Sequence, residues 1–407
     1  MTRTDASDRT QSVGGDLLAR DSDPQLRVLV VGVSWPMETF VERLLVGLAR
    51  AGVQITLAPA RVVEHPPREW LSLHGIRWTD ELVTATLRNA LEAVQRGDVP
   101  LAGAMARGAL RRAGEVPAID GRWDVVYGPW INTFTDHLEL LDLAAPIVTS
   151  CRGSLVTIAP WNPDRTVHRE RLADVFESAR LVHCVSDAIV GDAADLGLER
   201  SKARVIRPAV DSQAFLAKGA ASASEGPVRV IGVGTLIWGK DYEHALVAIR
   251  KGIDAGADLR LDLVGDGTDR QHLQFAIDDL GLGDRVRLLG RRPPAEVAAL
   301  LQGADVFLHT SCSEGISNAV LEAMATGLPV VTTDVGGMAE AVRDGIDGYL
   351  VPVRDSDATA AALVRLAGDP ELRAQMGAAG RERVMTDYRL DDQITAFVAL
   401  LHEAAGR

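Results

Sequence analysis

Positive charge is in short supply. Lysine and arginine together number 43 against 56 aspartates and glutamates, which leaves a formal charge of −13. Such a chain lacks the basic footprint that non-specific nucleic-acid binding requires, although one cation in a cleft can still meet a small anionic ligand. Cysteine is scarce and scattered. Cys151, Cys184 and Cys312 form no C-x-x-C, so neither a disulfide framework nor a thiolate zinc site is indicated. Each reads as a small buried hydrophobe, and a reducing compartment fits best. The nine histidines give no H-x3-H or H-E-x-x-H spacing, so no metal site is expected. No run approaches the ~18 apolar residues of a membrane span. The polar start, residues 1–25, has no apolar segment of the kind a secretory signal carries. Together these absences predict a cytoplasmic, soluble chain, with peripheral contact at the inner membrane face left open.

What is present is an ordinary globular balance, 47% hydrophobic and 24% charged over 407 residues. Domains run to ~100–200 residues, so two are expected. A polar arm over 1–25 precedes the first ordered run, Leu26–Gly32, a β-branched stretch suited to a buried parallel strand. Phe40, Val41, Leu44, Leu45 and Leu48 follow at helical spacing, with Gly52 beyond as the stop, and Val53–Ala58 is a second strand. This β-α-β unit predicts a doubly wound sheet. Further strands are expected at 124–127, 146–150, 181–185 and 203–206, and an Ala- and Arg-rich helical stretch spans roughly 79–112. Its segment Arg107–Arg112 reads as a solvated helix face in preference to a membrane contact. Small residues over 216–227, most clearly Gly219–Pro227, read as a linker. The rhythm then restarts, with strands at 228–232, 259–264, 286–289, 306–309, 329–332 and 348–351. Helices fill the gaps at 242–255, 268–280, 294–301 and 318–326. From Asp355 the tail holds three helical stretches, the last near Leu390–Ala405. The expected organisation is a first domain over 26–215, a second over 228–385, and a terminal helix over 386–407 returning to the first. That helix carries an apolar stripe of Ile394, Phe397, Val398 and Leu401.

Two segments carry the chemistry. In His309–Pro329, a strand ends near His309, a loop of small residues holds Glu314 and Gly315, and a helix begins at Ser317 or Asn318, both good N-caps. Free N–H groups and the positive dipole end at that start suit a diphosphate. Glu314 before the helix and Glu322 one turn inside it can serve two hydroxyl sets of one ligand; an ordinary loop acid and helix acid fit the spacing equally well. In the second segment, Gly234–Tyr242, Lys240 precedes a helix and could meet a diphosphate as a point charge, or be a solvated surface lysine. Gly232-Val-Gly234 and Gly265-Asp-Gly267 are near-misses to a dinucleotide fingerprint. They lack its third glycine and following acid, so a nicotinamide cofactor is not expected.

In order and spacing, Lys240, Val264-Gly-Asp-Gly267, Leu289-Gly290 and Glu314-x7-Glu322 with Gly315 and Gly327 resemble the family-4 retaining glycosyltransferases. Trp35–Phe40 resembles a segment of the exopolysaccharide-type, group 1 members. Ser150–Ser154 resembles the turn that carries H-G-x-D in many relatives, with Arg152 at the histidine and Leu155 at the aspartate. Val185-Ser186 with Arg207–Asp211 resembles the end of the family's first domain.

The resemblance implies the GT-B fold, two Rossmann-like domains facing a central cleft. It implies transfer of a sugar from a nucleotide diphosphate sugar to an acceptor hydroxyl with retention, with no metal or other cofactor required. Glu322 would bond the ribose and Glu314 would face the donor sugar. Lys240 and the backbone at Gly315, Ile316, Ser317, Asn318 and Ala319 would hold the diphosphate. Arg291 would border the base, and Gly32 would let the opposite domain approach. Thr235 stands where relatives often place an arginine. Glu38, Trp130 and Arg152 would shape the acceptor side, where Arg152 either holds an anion or makes a structural salt bridge. A nucleotide-sugar 2-epimerase on the same fold and a non-catalytic sugar-nucleotide-binding protein are the alternatives, separated by product analysis without acceptor and by donor hydrolysis.

Overall fold

The computed structural model describes residues 25–59, 64–79, 123–217 and 226–407. The expected arm before Gln25, most of the 79–112 helical stretch with Arg107–Arg112, and the centre of the 216–227 linker lie outside them. Thr79 itself continues the line of a short strand, its N–H bonded to Leu57 O.

The first sheet has seven parallel strands: β1 (Arg27–Val31), β2 (Gln54–Ala58), β3 (Arg77–Trp78), β4 (Val125–Gly128), β5 (Ile147–Cys151), β6 (Leu181–Cys184) and β7 (Ala203–Val205). Their spatial order is β3-β2-β1-β4-β5-β6-β7. The second has six: β8 (Val228–Val233), β9 (Leu259–Val264), β10 (Val286–Gly290), β11 (Val306–His309), β12 (Val330–Thr333) and β13 (Gly348–Val351), in the order β10-β9-β8-β11-β12-β13. Runs such as Val28–Val31 and Val125–Gly128 are buried along their length. Apolar on both faces, they demand cover on both, and helices supply it. The two-residue β3 has no apolar run and escapes a sequence reading, as do the helices Arg68–His74, Thr166–Ser178 and Asp187–Asp195.

In each sheet the order reverses once, between β1 and β4 and between β8 and β11. Crossover helices leave opposite faces there, so a crevice opens beyond the carboxyl ends of those strands. The loops after β1, β4 and β5 in one sheet and after β8 and β11 in the other therefore carry the residues that can meet a ligand. The terminal helix Leu390–Ala405 packs on the first sheet. Phe397 is fully buried there, its ring 4.6 Å from that of His183 and 6.0 Å from that of Tyr127. Leu400, Leu401 and Ala404 are buried beside it, with Ile394 and Val398 half-buried.

Candidate active site

A cavity of about 700 Å³ lies between the two crevices, within the range of small-molecule sites. One wall comes from the second sheet. The loop after β8 contributes Thr235, Trp238 and Lys240, and the loop after β11 contributes Glu314, with Ile316–Ala319 beyond it. The other wall comes from the first sheet: Phe40 after β1, Trp130 after β4 and Arg152 after β5.

Among the described residues that line the cavity, Glu314 accepts three side-chain hydrogen bonds. Lys240 Nζ donates to its Oε1, as do His309 Nε2 at 3.0 Å and Ser311 Oγ at 2.8 Å. Burial pushes this carboxyl up, but the Lys240 ammonium and the His309 hydrogen bond outweigh it and hold the pKa at about 2. Burial also lowers the pKa of His309. A neutral ring that donates from Nε2 takes the Thr332 hydroxyl, 3.0 Å away, on Nδ1. All three donors converge on Oε1, and no described residue donates to Oε2. Of the three N–H groups of Lys240, two are not taken by Glu314. A fixed carboxylate and a fixed ammonium thus present their spare oxygen and hydrogens at one place. The loop backbone is held by Thr333 Oγ1, which donates to Ser311 O at 2.6 Å.

Beside this pair begins the helix Asn318–Thr326. Ser317 occupies the N-cap position, but its side chain makes no capping bond, contrary to what its type suggests. Asn318 Oδ1 is buried without a partner. The first-turn amides therefore carry no side-chain cap, and such a helix start is suited to an anion. Gly327 ends the helix in the left-handed conformation, φ 87°.

Glu322 lies one turn deeper and is not among the cavity-lining residues. Burial raises its pKa to about 7, and Arg43, on the helix Thr39–Arg50 of the first sheet, offsets part of that rise. Gly315 sits in the seam between the lobes. A Cβ there would overlap Val185 Cγ2 and the Arg152 carbonyl, so only glycine lets the two walls touch. Gly265, φ 141°, packs against the Gly234 carbonyl in the same way, so that G-x-G serves packing of one turn on another.

Besides Glu322 and Gly315, three more expected contributors stand apart from the cavity. Arg291 is exposed after β10, the edge strand, two strands from the reversal. Glu38 is exposed and acts through its carbonyl, which starts the Thr39–Arg50 helix; Phe40, two residues on, reaches the cavity wall. Gly32 lines a separate recess of about 140 Å³ with Asn132, Asp136 and His137.

Arg152 makes no ion pair with a described residue. Nε donates to Pro129 O at 3.0 Å and Nη2 to Tyr127 Oη at 3.3 Å. Its guanidinium carbon lies 4.8 Å from the Phe40 ring centre and 5.8 Å from that of Trp130. Behind it the bonds continue inward. Tyr127 Oη lies 3.0 Å from Ser150 Oγ, Ser150 Oγ 2.8 Å from His183 Nδ1, and His183 Nε2 2.8 Å from Ile206 O. The carbonyl can only accept, so His183 donates from Nε2 and accepts on Nδ1 from Ser150. Ser150 in turn accepts from Tyr127, and Tyr127 from Arg152. Burial lowers the His183 pKa to about 3, with the Arg152 charge adding to it, which fits the neutral ring this chain requires.

His309 and Ser311, which fix Glu314, and Phe40 lie inside the segments singled out by the sequence. For His309 and Ser311 the available signal was their near spacing from the acid, and for Phe40 its place at the end of the segment Trp35–Phe40. Tyr127, Ser150 and His183 carried none, because their chain forms only across β4, β5 and β6. Among the described residues no group of three or more His, Cys, Asp or Glu side chains could hold a metal ion, and no helix is long and apolar enough to cross a membrane.

Comparison with known proteins places the chain. The family model for glycosyltransferase family 4 matches residues 37–214, and that for glycosyl transferases group 1 matches 217–383. WcaL of Salmonella typhimurium, named for colanic acid biosynthesis, is 33% identical over 64% of this chain and 65% of its own length. The amylovoran biosynthesis glycosyltransferase AmsK of Erwinia amylovora is 32% identical over 47% of this chain and 49% of its own. The match therefore spans about half to two thirds of these curated relatives. In structure, Anabaena HepE in complex with UDP and glucose superposes with a TM-score of 0.70 at 18% identity, covering 93% of this chain and 100% of that one. Two parallel-sheet Rossmann-like lobes, the two adjoining family matches and this likeness agree: the chain has the GT-B fold and belongs to the family-4, group 1 glycosyltransferases.

Proposed function

We propose that this protein transfers a sugar from a nucleotide diphosphate sugar, held on the wall of the second sheet, to a hydroxyl of an acceptor on the wall of the first, with retention at the anomeric carbon. The observation that carries this reading is the pairing of Lys240 with Glu314 beside the uncapped start of the helix Asn318–Thr326. The bond from C1 to the diphosphate oxygen breaks as the bond from C1 to the acceptor oxygen forms on the same face, and the acceptor proton passes to the departing diphosphate. Negative charge grows on the diphosphate, where the free N–H groups of Lys240 and the first-turn amides meet it. Positive charge grows at C1, on the side where Glu314 Oε2 stands without a donor among the described residues. Because Lys240 holds Glu314 ionised, that charge is present across the neutral range. Thr235 borders the same space. Glu322, in the seam, would take the ribose. The donor charge is met by the protein's own groups in this reading, and the chain is placed in the cytoplasm with polysaccharide or glycoside assembly as its context. The relatives named above are glycosyltransferases, and no residue of the site favours epimerase chemistry over transfer.

UDP-glucose is the first donor to test, because UDP and glucose occupy the similar HepE structure. Donor binding is read by calorimetry, and transfer by product analysis with and without a panel of hydroxyl acceptors. Stable glycoside formed with the α-configuration of the donor supports the reading. A free epimerised nucleotide sugar, or tight donor binding with no turnover on any acceptor or water, would overturn it.

A further inference from the structure

On the wall of the cavity contributed by the first sheet, Arg152 is the single charged side chain among the described lining residues. Its position is built. Pro129 O and Tyr127 Oη fix two of its five N–H donors. Phe40 and Trp130 flank the guanidinium, their own rings 5.5 Å apart and edge to face. The bonds through Ser150 and His183 to Ile206 O have one consistent direction and lock Tyr127 as the acceptor for Arg152. No described carboxylate neutralises the charge. Across the cavity Lys240 is matched by Glu314, so Arg152 is the unbalanced cation of the site. Arginine held by aromatic faces with donors to spare is suited to a planar or multi-oxygen anion.

We propose that Arg152 is a specificity-determining residue for an acidic acceptor, one that carries a carboxylate or phosphate near the hydroxyl to be glycosylated. The inference rests on the reading of the first-sheet wall as the acceptor wall. Nη1, which has no partner among the described residues, and the second hydrogen of Nη2 take the anion. The chain from Tyr127 to Ile206 O keeps the guanidinium from swinging away.

The test uses the full chain with UDP bound, titrated calorimetrically with D-glucuronate, D-glucose 6-phosphate and D-glucose. At least one acidic sugar should bind about tenfold to a hundredfold more tightly than glucose, the scale of a charge-assisted hydrogen bond to a fixed cation. The carboxylate and phosphate arms show which anion is preferred. Arg152→Gln should abolish the preference and leave UDP affinity within about twofold. Arg152→Lys should restore part of it, and thermal melts check that both variants fold. Equal binding of acid and neutral sugar, absence of acid binding at millimolar concentration, or a preference that survives Arg152→Gln would overturn the inference. A matching fall in UDP affinity would assign Arg152 to the donor and overturn it as well. Failure of the wild type to bind UDP would instead remove the functional reading, and this inference with it.

Discussion

Replacing Lys240 with methionine keeps most of the length of the side chain and removes its charge, leaving Glu314 with His309 and Ser311. Glu314 is 14% exposed and Lys240 25%, so the pair is largely removed from water. The Glu314 carboxyl sits at about 2 against an ordinary 4.5. The difference corresponds to roughly 3 kcal/mol of stability at pH 7. Its sign follows from the lowered pKa: the contribution is full above pH 4.5 and is lost as pH falls through about 2. Loss of one partner of a buried pair costs ~3–5 kcal/mol. Lys240→Met should therefore lower unfolding stability by about 3 kcal/mol at pH 7. That deficit should shrink on acidification, because a Glu314 without Lys240 protonates at higher pH and ceases to be an unpaired charge. In the double variant Lys240→Met/Glu314→Gln no charge is stranded, so much of the stability should return, a non-additivity of ~1–3 kcal/mol. Turnover should not return. Lys240 meets charge that develops as the diphosphate leaves, and kcat should fall by ~10²–10³ in both the single and the double variant. Urea unfolding at pH 5 and pH 7 and steady-state kinetics with UDP-glucose provide the two readouts. Additive stability losses would refute the coupling, and recovery of kcat in the double variant would refute the role of Lys240.

Three further outcomes are expected. Burial raises Glu322 to about 7, so its ionisation opposes folding and wild-type stability should decline between pH 4.5 and 7; Glu322→Gln should flatten that decline in thermal melts and raise the donor KM, whereas an unchanged KM would remove it from the ribose site. Gly315→Ala places a methyl group against Val185 and the Arg152 carbonyl, so it should separate the lobes and lower kcat/KM for both substrates, read by kinetics and by an increased radius of gyration in solution scattering; wild-type kinetics would refute this. Phe397→Ala leaves a cavity under the terminal helix beside Tyr127 and His183 and should cost ~3–5 kcal/mol in chemical unfolding, with a loss under 1 kcal/mol contradicting the helix's packing role.

Local pattern alone determined much of this protein. Runs such as Val28–Val31 and Val306–His309, apolar on consecutive residues, admit few structures other than buried parallel strands, because both faces must be covered. Periodicity and stop signals then placed the helices Thr39–Arg50 and Asn318–Thr326, the latter ending at Gly327. Spacing alone left Glu314 and Glu322 equally readable as an ordinary loop acid and helix acid, and it was the resemblance to the family-4 glycosyltransferases that pointed them, with Lys240, to a diphosphate sugar. The tertiary structure decided what those residues touch. Lys240 and Glu314, 74 positions apart, contact one another because β8 and β11 are neighbours in space. Glu322 faces Arg43 across the seam between the lobes and does not join Glu314 at the cavity. Ser317, a good capping residue by type, leaves the helix start uncapped. Arg152 could have been a salt bridge or an anion site. In the structure it makes no ion pair with a described residue and is held by Phe40, Trp130 and Tyr127, with a hydrogen-bond chain behind it through three adjacent strands. Side-chain direction and cross-strand neighbours arise only when the sheet is assembled, so no spacing along the chain encodes them locally.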